Sequence, residues 1–122
     1  MNKLGIDLLE LVQNYPEHKL PLQETLVVAM QALEILESVH RRGLIHNDVK
    51  PNNMMSGLND PHTIYFIDFG FATKYLTDDD QHIPESEINA LRSNPMYMSL
   101  NRMLGKVPSR RDDLESLAYT LM

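Results

Sequence analysis

Three short clusters hold the side chains with chemical capacity. His46-Asn47-Asp48-Val49-Lys50-Pro51-Asn52-Asn53 places a carboxylate, an ammonium group and several amides within one short stretch. Asp68-Phe69-Gly70 adds a second carboxylate, and Ser109-Arg110-Arg111-Asp112-Asp113-Leu114 adds two more. A carboxylate can accept a proton, and a lysine can neutralise a developing anion. Carboxylate and amide oxygens together suit a hard cation such as Mg2+. Each cluster also reads blandly when taken alone. Asp-Phe-Gly is a common turn signal, and Asp112 and Asp113 fit plain helix caps. Their order and their structural settings decide between the readings.

The elements that must position them follow from periodicity and punctuation. Residues 4–14 carry Leu4, Leu8, Leu11 and Val12 at helical spacing, with Asp7 and Glu10 in the early turns where they suit the helix dipole. A second helix is predicted from about 22 to 42, with Leu22, Leu26, Ala29, Leu33, Leu36 and His40 on its apolar face. Pro21 suits its start and Gly43 the left-handed position past its end. Met54-Met55-Ser56 and Thr63-Ile64-Tyr65-Phe66-Ile67 read as two strands joined by the turn Gly57 to His62, a β-hairpin. Residues 68–97 lack sustained periodicity and read as a long loop, functional or mobile. A short helical turn near 98–104 ends at Gly105, and a last helix begins around Ser109 to Asp112.

Composition bounds the rest. The chain has 122 residues, 43% hydrophobic and 23% charged, with no Cys and no Trp. That length is one small domain at most, too short for an enzyme that needs about 250 residues. The absence of Cys excludes a disulfide scaffold and cysteine-based zinc sites or catalysis. His40, His46 and Asp48 are metal-capable types, but their spacing fits no zinc signature. The longest apolar run, Leu26 to Met30, is far below the roughly 20 residues of a membrane span, and the N-terminus lacks a signal peptide's apolar region. No membrane association is expected, and a cytoplasmic or nuclear setting is compatible. Net charge is −6. The segment 78–87 carries Asp78, Asp79, Asp80, Glu85 and Glu87 against no Lys or Arg, so most of the acidity is local and reads as a solvated loop. Basic pairs occur only at Arg41-Arg42 and Arg110-Arg111, too few for a nucleic-acid partner.

Taken in order, the clusters make the sequence resemble a eukaryotic protein kinase. The catalytic-loop pattern His-Arg-Asp-x-Lys-x-x-Asn matches 46–53 at every fixed position but one, where Asn47 stands for Arg, and Asp-Phe-Gly follows across the hairpin. The text is most similar to the casein kinase 1 family at Leu4-Gly5, His82-Ile83-Pro84, Tyr97-Met98-Ser99-Leu100-Asn101 and Ser109 to Leu117. The resemblance implies an α+β, protein-kinase-like fold. It places residues 1–122 as part of the C-terminal (large) lobe, mainly helical with a small β-hairpin. It implies transfer of the ATP γ-phosphate to Ser or Thr hydroxyls of protein substrates, with ATP and Mg2+ as cofactors. By resemblance Asp48 is the base and Lys50 neutralises charge on the transferring phosphate. Asn53 and Asp68 are the Mg2+ ligands. Met55 matches the apolar residue under the adenine, although ordinary core fits it equally. Asp7 matches the position near the ribose, although a helix-start acid is the plainer reading. His46, Phe69, Gly70 and Asp113 match structural support, Asp113 as acceptor of catalytic-loop N–H groups and Gly70 as a flexible point beside Asp68.

The departures are specific. Asn47 stands where the family has an Arg that commonly reads a phosphate, so no activation by phosphorylation at Thr73, Thr77, Ser86 or Ser93 is expected. Asn94 replaces a Thr that usually contacts the catalytic Asp and Lys, and Met96 replaces an Arg associated with anion binding. Ala118 stands at a usual Gly. The sequence shows no Gly-rich phosphate loop and no strand Lys with its helix Glu partner, so the small lobe needed for a full ATP site is missing from it. Leu114, Leu117, Ala118, Leu121 and Met122 are expected to face segments not present. The enzyme reading therefore concerns a fragment, and the isolated chain is expected to be inactive. The alternative is a pseudokinase or truncated scaffold that binds without catalysis.

Overall fold

The computed structural model describes residues 4–86 and 95–122. Of the positions singled out in the sequence, Glu87, Ser93 and Asn94 lie outside the described residues. Two small antiparallel sheets and two long helices make the frame. The first sheet has the order β1-β3-β4, built from β1 (Leu4–Asp7), β3 (Met54–Gly57) and β4 (Ile64–Phe66). The second pairs β2 (Leu44–Ile45) with β5 (Thr73–Lys74). Helices α1 (Leu8–Gln13), α2 (Leu22–Arg41), α3 (Leu100–Met103) and α4 (Arg110–Leu121) complete the set, with 3-10 turns at Pro16–His18, Pro51–Asn53 and Pro95–Tyr97.

The hairpin forms where its turn residues require. Gly57 N–H donates to Thr63 O at 3.0 Å, Thr63 N–H to Asp60 O at 3.1 Å, and the Thr63 hydroxyl to the Asp60 carboxylate. Gln31 clamps the hairpin to α2. Its Nε2 donates to His62 O and its Oε1 accepts from Ile64 N–H, both at 2.8 Å. Helix α2 ends as its sequence dictates: Gly43 takes φ 79° and donates its N–H to His40 O at 3.0 Å.

Two expectations need correction. Residues 4–7 are a strand, not the first turn of a helix. They pair with the free edge of β3, setting Asp7 opposite Met55, and the helix starts only at Leu8. The donors and acceptors of 4–7 find partners about fifty residues away, which no local periodicity encodes. The inward face of α2 is also different. Val28, Ala32, Leu36, Val39 and His40 are buried, whereas Leu22, Leu26 and Leu33 are exposed. Apolar residues lie on several sides of the helix, and tertiary packing selects the stripe from Val28 through Ala32 and Leu36 to His40. The core joins Leu8, Val28, Ala32, Leu36, Val49, Met54, Ile64 and Leu117, with Leu121 packed at its margin. Leu117 thus packs within this chain, while Leu114 and Met122 stay exposed.

The stretch after Asp68 is also less irregular than its sequence implies. It contains β5 and an isolated bridge between Leu76 and His82. Residues 78–82 are exposed, as a solvated acidic loop should be, but Glu85 is tied down by Lys106 at 2.6 Å.

Candidate active site

The polar loop 46–53 leaves β2 and is held from three directions. From the helix side comes Asp113, in the first turn of α4 and almost fully buried. Its Oδ2 accepts from His46 N–H at 2.8 Å and its Oδ1 from Asn47 N–H at 3.0 Å. This is the acceptor role the resemblance implied. The same Oδ2 lies 2.8 Å from His40 Nε2, a partner the sequence does not announce. His40 is itself pinned by Tyr75, whose hydroxyl donates to His40 O at 2.5 Å. Arg110 lies over the Tyr75 ring at 4.9 Å.

From the core side, Val49 and Pro51 are buried and fix the middle of the loop. Pro51 starts the 3-10 turn that carries Asn53. His46 sits at the centre, fully buried, between Phe66 and Phe69 at ring-centroid distances of 5.7 and 4.7 Å. Its Nδ1 accepts from Asp48 N–H at 3.1 Å, so its Nε2 carries the hydrogen donated to Ile67 O, also at 3.1 Å. Both ring nitrogens are therefore engaged within the fold. Of the His40 ring, Nε2 is held by Asp113.

These contacts orient the reactive groups. Asp48 is buried, and its Oδ2 accepts from Asn53 Nδ2 at 2.8 Å. The same Nδ2 donates to Asp48 O at 2.8 Å. Two acceptors converge on one amide atom, so that atom is the nitrogen, and the Asn53 oxygen points away from Asp48. Lys50 Nζ stands 3.6 Å from Asp48 Oδ1, beyond hydrogen-bond distance, so Oδ1 keeps capacity to accept a proton. The Lys50 side chain is partly solvated while that of Asp48 is not.

Asp68 arrives from the hairpin. Ile67 N–H donates to Asn53 O at 2.9 Å, which carries the strand register one step past Met54 and Phe66 and brings the Asp68 turn beside Asn53. Asp68 is exposed and takes φ 60°. Its Oδ1 accepts from Gly70 N–H at 3.2 Å, closing a local turn of the kind Asp tolerates. Asp68, not Gly70, adopts the left-handed backbone. A Cβ at Gly70 would approach Asp68 Oδ1 to 3.1 Å, so a larger residue there would push on that carboxylate.

The two remaining candidates form a separate pair on the first sheet. Asp7 and Met55 face each other across β1 and β3. Met54 is fully buried, so the alternation of β3 turns the half-buried Met55 to the opposite face. Asp7 caps α1, its Oδ1 accepting from Glu10 N–H at 2.8 Å. The helix-start reading of Asp7 thus describes its present contact.

The donor set fits a hard divalent cation in chemistry: an exposed carboxylate at Asp68 and an amide oxygen at Asn53 turned away from Asp48. Asp112, adjacent to Asp113, looks elsewhere. It accepts from Ser109 N–H at 2.7 Å in a capping box and from the Ser99 hydroxyl at 2.6 Å. Burial pushes the neighbouring Arg102 guanidinium down from its ordinary value, with Asp112 partly opposing the shift. Sequence reading anticipated the cap at Ser109 and Asp112, but not the tie to Ser99.

A family model described as the protein kinase domain matches residues 4–121, nearly the whole chain.

Proposed function

The chain belongs to the protein kinase family, and from that premise we propose that it is the large-lobe core of a Ser/Thr kinase of casein kinase 1 type. In this reading the substrates are ATP, bound with Mg2+, and a Ser or Thr hydroxyl of a protein. Asp48 accepts the hydroxyl proton as the oxygen bonds to the γ-phosphorus and the bond to the ADP oxygen breaks. Lys50 stands beside that carboxylate and offsets the negative charge of the transferring group. Asn53 and Asp68 would hold the cation, which when bound neutralises phosphate charge. Met55 and Asp7 would border the nucleotide.

One observation carries the reading: Asp48 is a buried carboxylate with one oxygen fixed by Asn53 and the other facing Lys50. A structural carboxylate would have both oxygens satisfied by donors, as Asp113 has. The family's small-lobe elements would complete the ATP site.

The test is phosphorylation of a generic protein substrate by the full-length protein. Asp48→Asn is expected to abolish it, and Asp68→Ala to abolish its Mg2+-dependent part. Undiminished transfer by the Asp48→Asn form would remove Asp48 from the role of base. Nucleotide binding by the wild-type protein without any transfer would favour a binding module instead.

A further inference from the structure

The pairing of β2 with β5 sets Leu44 opposite Lys74 and Ile45 opposite Thr73. Continued along the same ladder, that register sets Asn47 opposite Phe71. The Asn47 backbone cannot supply the next rung, because its N–H is turned to Asp113 Oδ1 at 3.0 Å. The side chain supplies it instead. Asn47 Nδ2 donates to Phe71 O and to Thr73 Oγ1, both at 2.8 Å.

Two features show how strongly this contact governs the residue. Asn47 takes φ 70°, a left-handed backbone. Its Oδ1 is buried with no hydrogen-bond partner among the described residues. An orphaned buried oxygen is normally avoided. Among the described residues, the amide's hydrogen bonds are made by its nitrogen end alone, to segment 71–73.

The position of that segment matters. Asp68-Phe69-Gly70 is anchored on its N-terminal side by Ile67 N–H on Asn53 O at 2.9 Å. On its C-terminal side, among the described residues, Asn47 anchors it to the catalytic loop. We propose that Asn47 is a positioning residue: its side-chain amide, on Phe71 O and Thr73 Oγ1, locks the far end of the Asp68 turn to the catalytic loop. It thereby holds the Asp68 carboxylate in place for the divalent cation. This rests on Asp68 being a cation ligand, as proposed above. The lock needs no covalent modification, since every contact is a neutral hydrogen bond already made.

The experiment uses the same full-length protein as the phosphorylation test, with Asn47→Gly, Thr73→Val, and both together. Glycine keeps the left-handed backbone and removes the amide. Valine keeps a β-branched residue at this exposed strand position and puts a methyl in place of the hydroxyl. Amide hydrogen exchange at Gly70 and Ala72, and the Mg2+ concentration needed for ADP binding, are measured. Exchange is expected to quicken about tenfold in Asn47→Gly and a few-fold in Thr73→Val, the scale of lost hydrogen bonds. The double variant should be no faster than Asn47→Gly. The Mg2+ requirement should rise several-fold, with metal-free ADP binding unchanged, which a purely structural role would not produce. Unchanged exchange in both single variants, or additive effects, would overturn the lock. Asp68→Ala separates the two ideas. If it leaves the Mg2+ requirement unaltered, the cation reading fails while the exchange arm still judges the lock. If it raises the requirement and Asn47→Gly does not, the positioning role fails.

Discussion

The Asp113 carboxylate lies 2.8 Å from His40 Nε2, joining the end of one long helix to the start of the other beneath the candidate catalytic loop. The same oxygen accepts from His46 N–H, so a single buried atom ties α2, α4 and the loop together.

Removing that charge should be costly. Asp113→Ala strands the His46 and Asn47 N–H groups and the His40 ring in a buried setting, a loss of about 3–5 kcal/mol. Asp113→Asn keeps one acceptor and turns an NH2 group toward a donor, costing about 1–3 kcal/mol. Urea denaturation checks both, and faster exchange of the His46 and Asn47 amides should accompany them.

The packing of α2 gives a paired comparison. Leu36 is fully buried and Leu26 is 54% exposed. Leu36→Ala is expected to cost about 2–5 kcal/mol. Leu26→Ala should change stability by less than about 0.5 kcal/mol. Equal effects in denaturant titrations would contradict the assignment of the inward face.

The hairpin turn leaves no room at Gly57. A Cβ there would sit 2.8 Å from Asp60 O, a backbone atom, and 3.3 Å from the Tyr65 ring. At Gly5 the clash is with the Ser56 hydroxyl at 2.8 Å, which can rotate away. Gly57→Ala should therefore lower stability by about 1–3 kcal/mol, and Gly5→Ala by clearly less. Thermal unfolding of the two variants side by side decides it.

A pH effect follows from Glu85. Its hydrogen bond to Lys106, then the Lys106 charge, hold its carboxyl below the ordinary 4.5, with Arg111 adding to the pull. A folded-state value below the unfolded one stabilises the fold above the unfolded pKa, and the effect is lost as pH falls through the folded one. An NMR titration of Glu85 should show a midpoint below 4.5 that returns toward it in Lys106→Met. Glu85→Gln should flatten the acid end of the stability profile.

What the sequence discloses depends on how local the information is. The hairpin and the end of α2 are legible because Gly43, Gly57 and Asp60 act on neighbouring backbone. Strand β1 is not, since Leu4, Leu8, Leu11 and Val12 keep helical spacing while the backbone of Leu4–Asp7 bonds to β3. The α2 face is misread because its apolar residues lie on several sides of the helix, and only tertiary packing chooses among them. The candidate site shows the same division. The positions of Asp48, Lys50, Asn53, Asp68 and Asp113 were accessible through motif order. The His40 contact joins residues 73 apart, and the Asn47 contacts depend on a register set by β2 and β5.

The adjacency of Asp112 and Asp113 has a mechanical consequence. Neighbouring residues on a helix point about 100° apart around its axis. Asp112 is fastened to Ser99 and Ser109, and Asp113 to His40 and the loop at His46 and Asn47. Two tethers in different directions act as a stop against both rolling and sliding, which neither would prevent alone. Any force that turns α4 must pull on the segment at Ser99 and on the loop at His46 together. The segment at Ser99 and the loop at His46 are therefore mechanically joined through the first turn of α4.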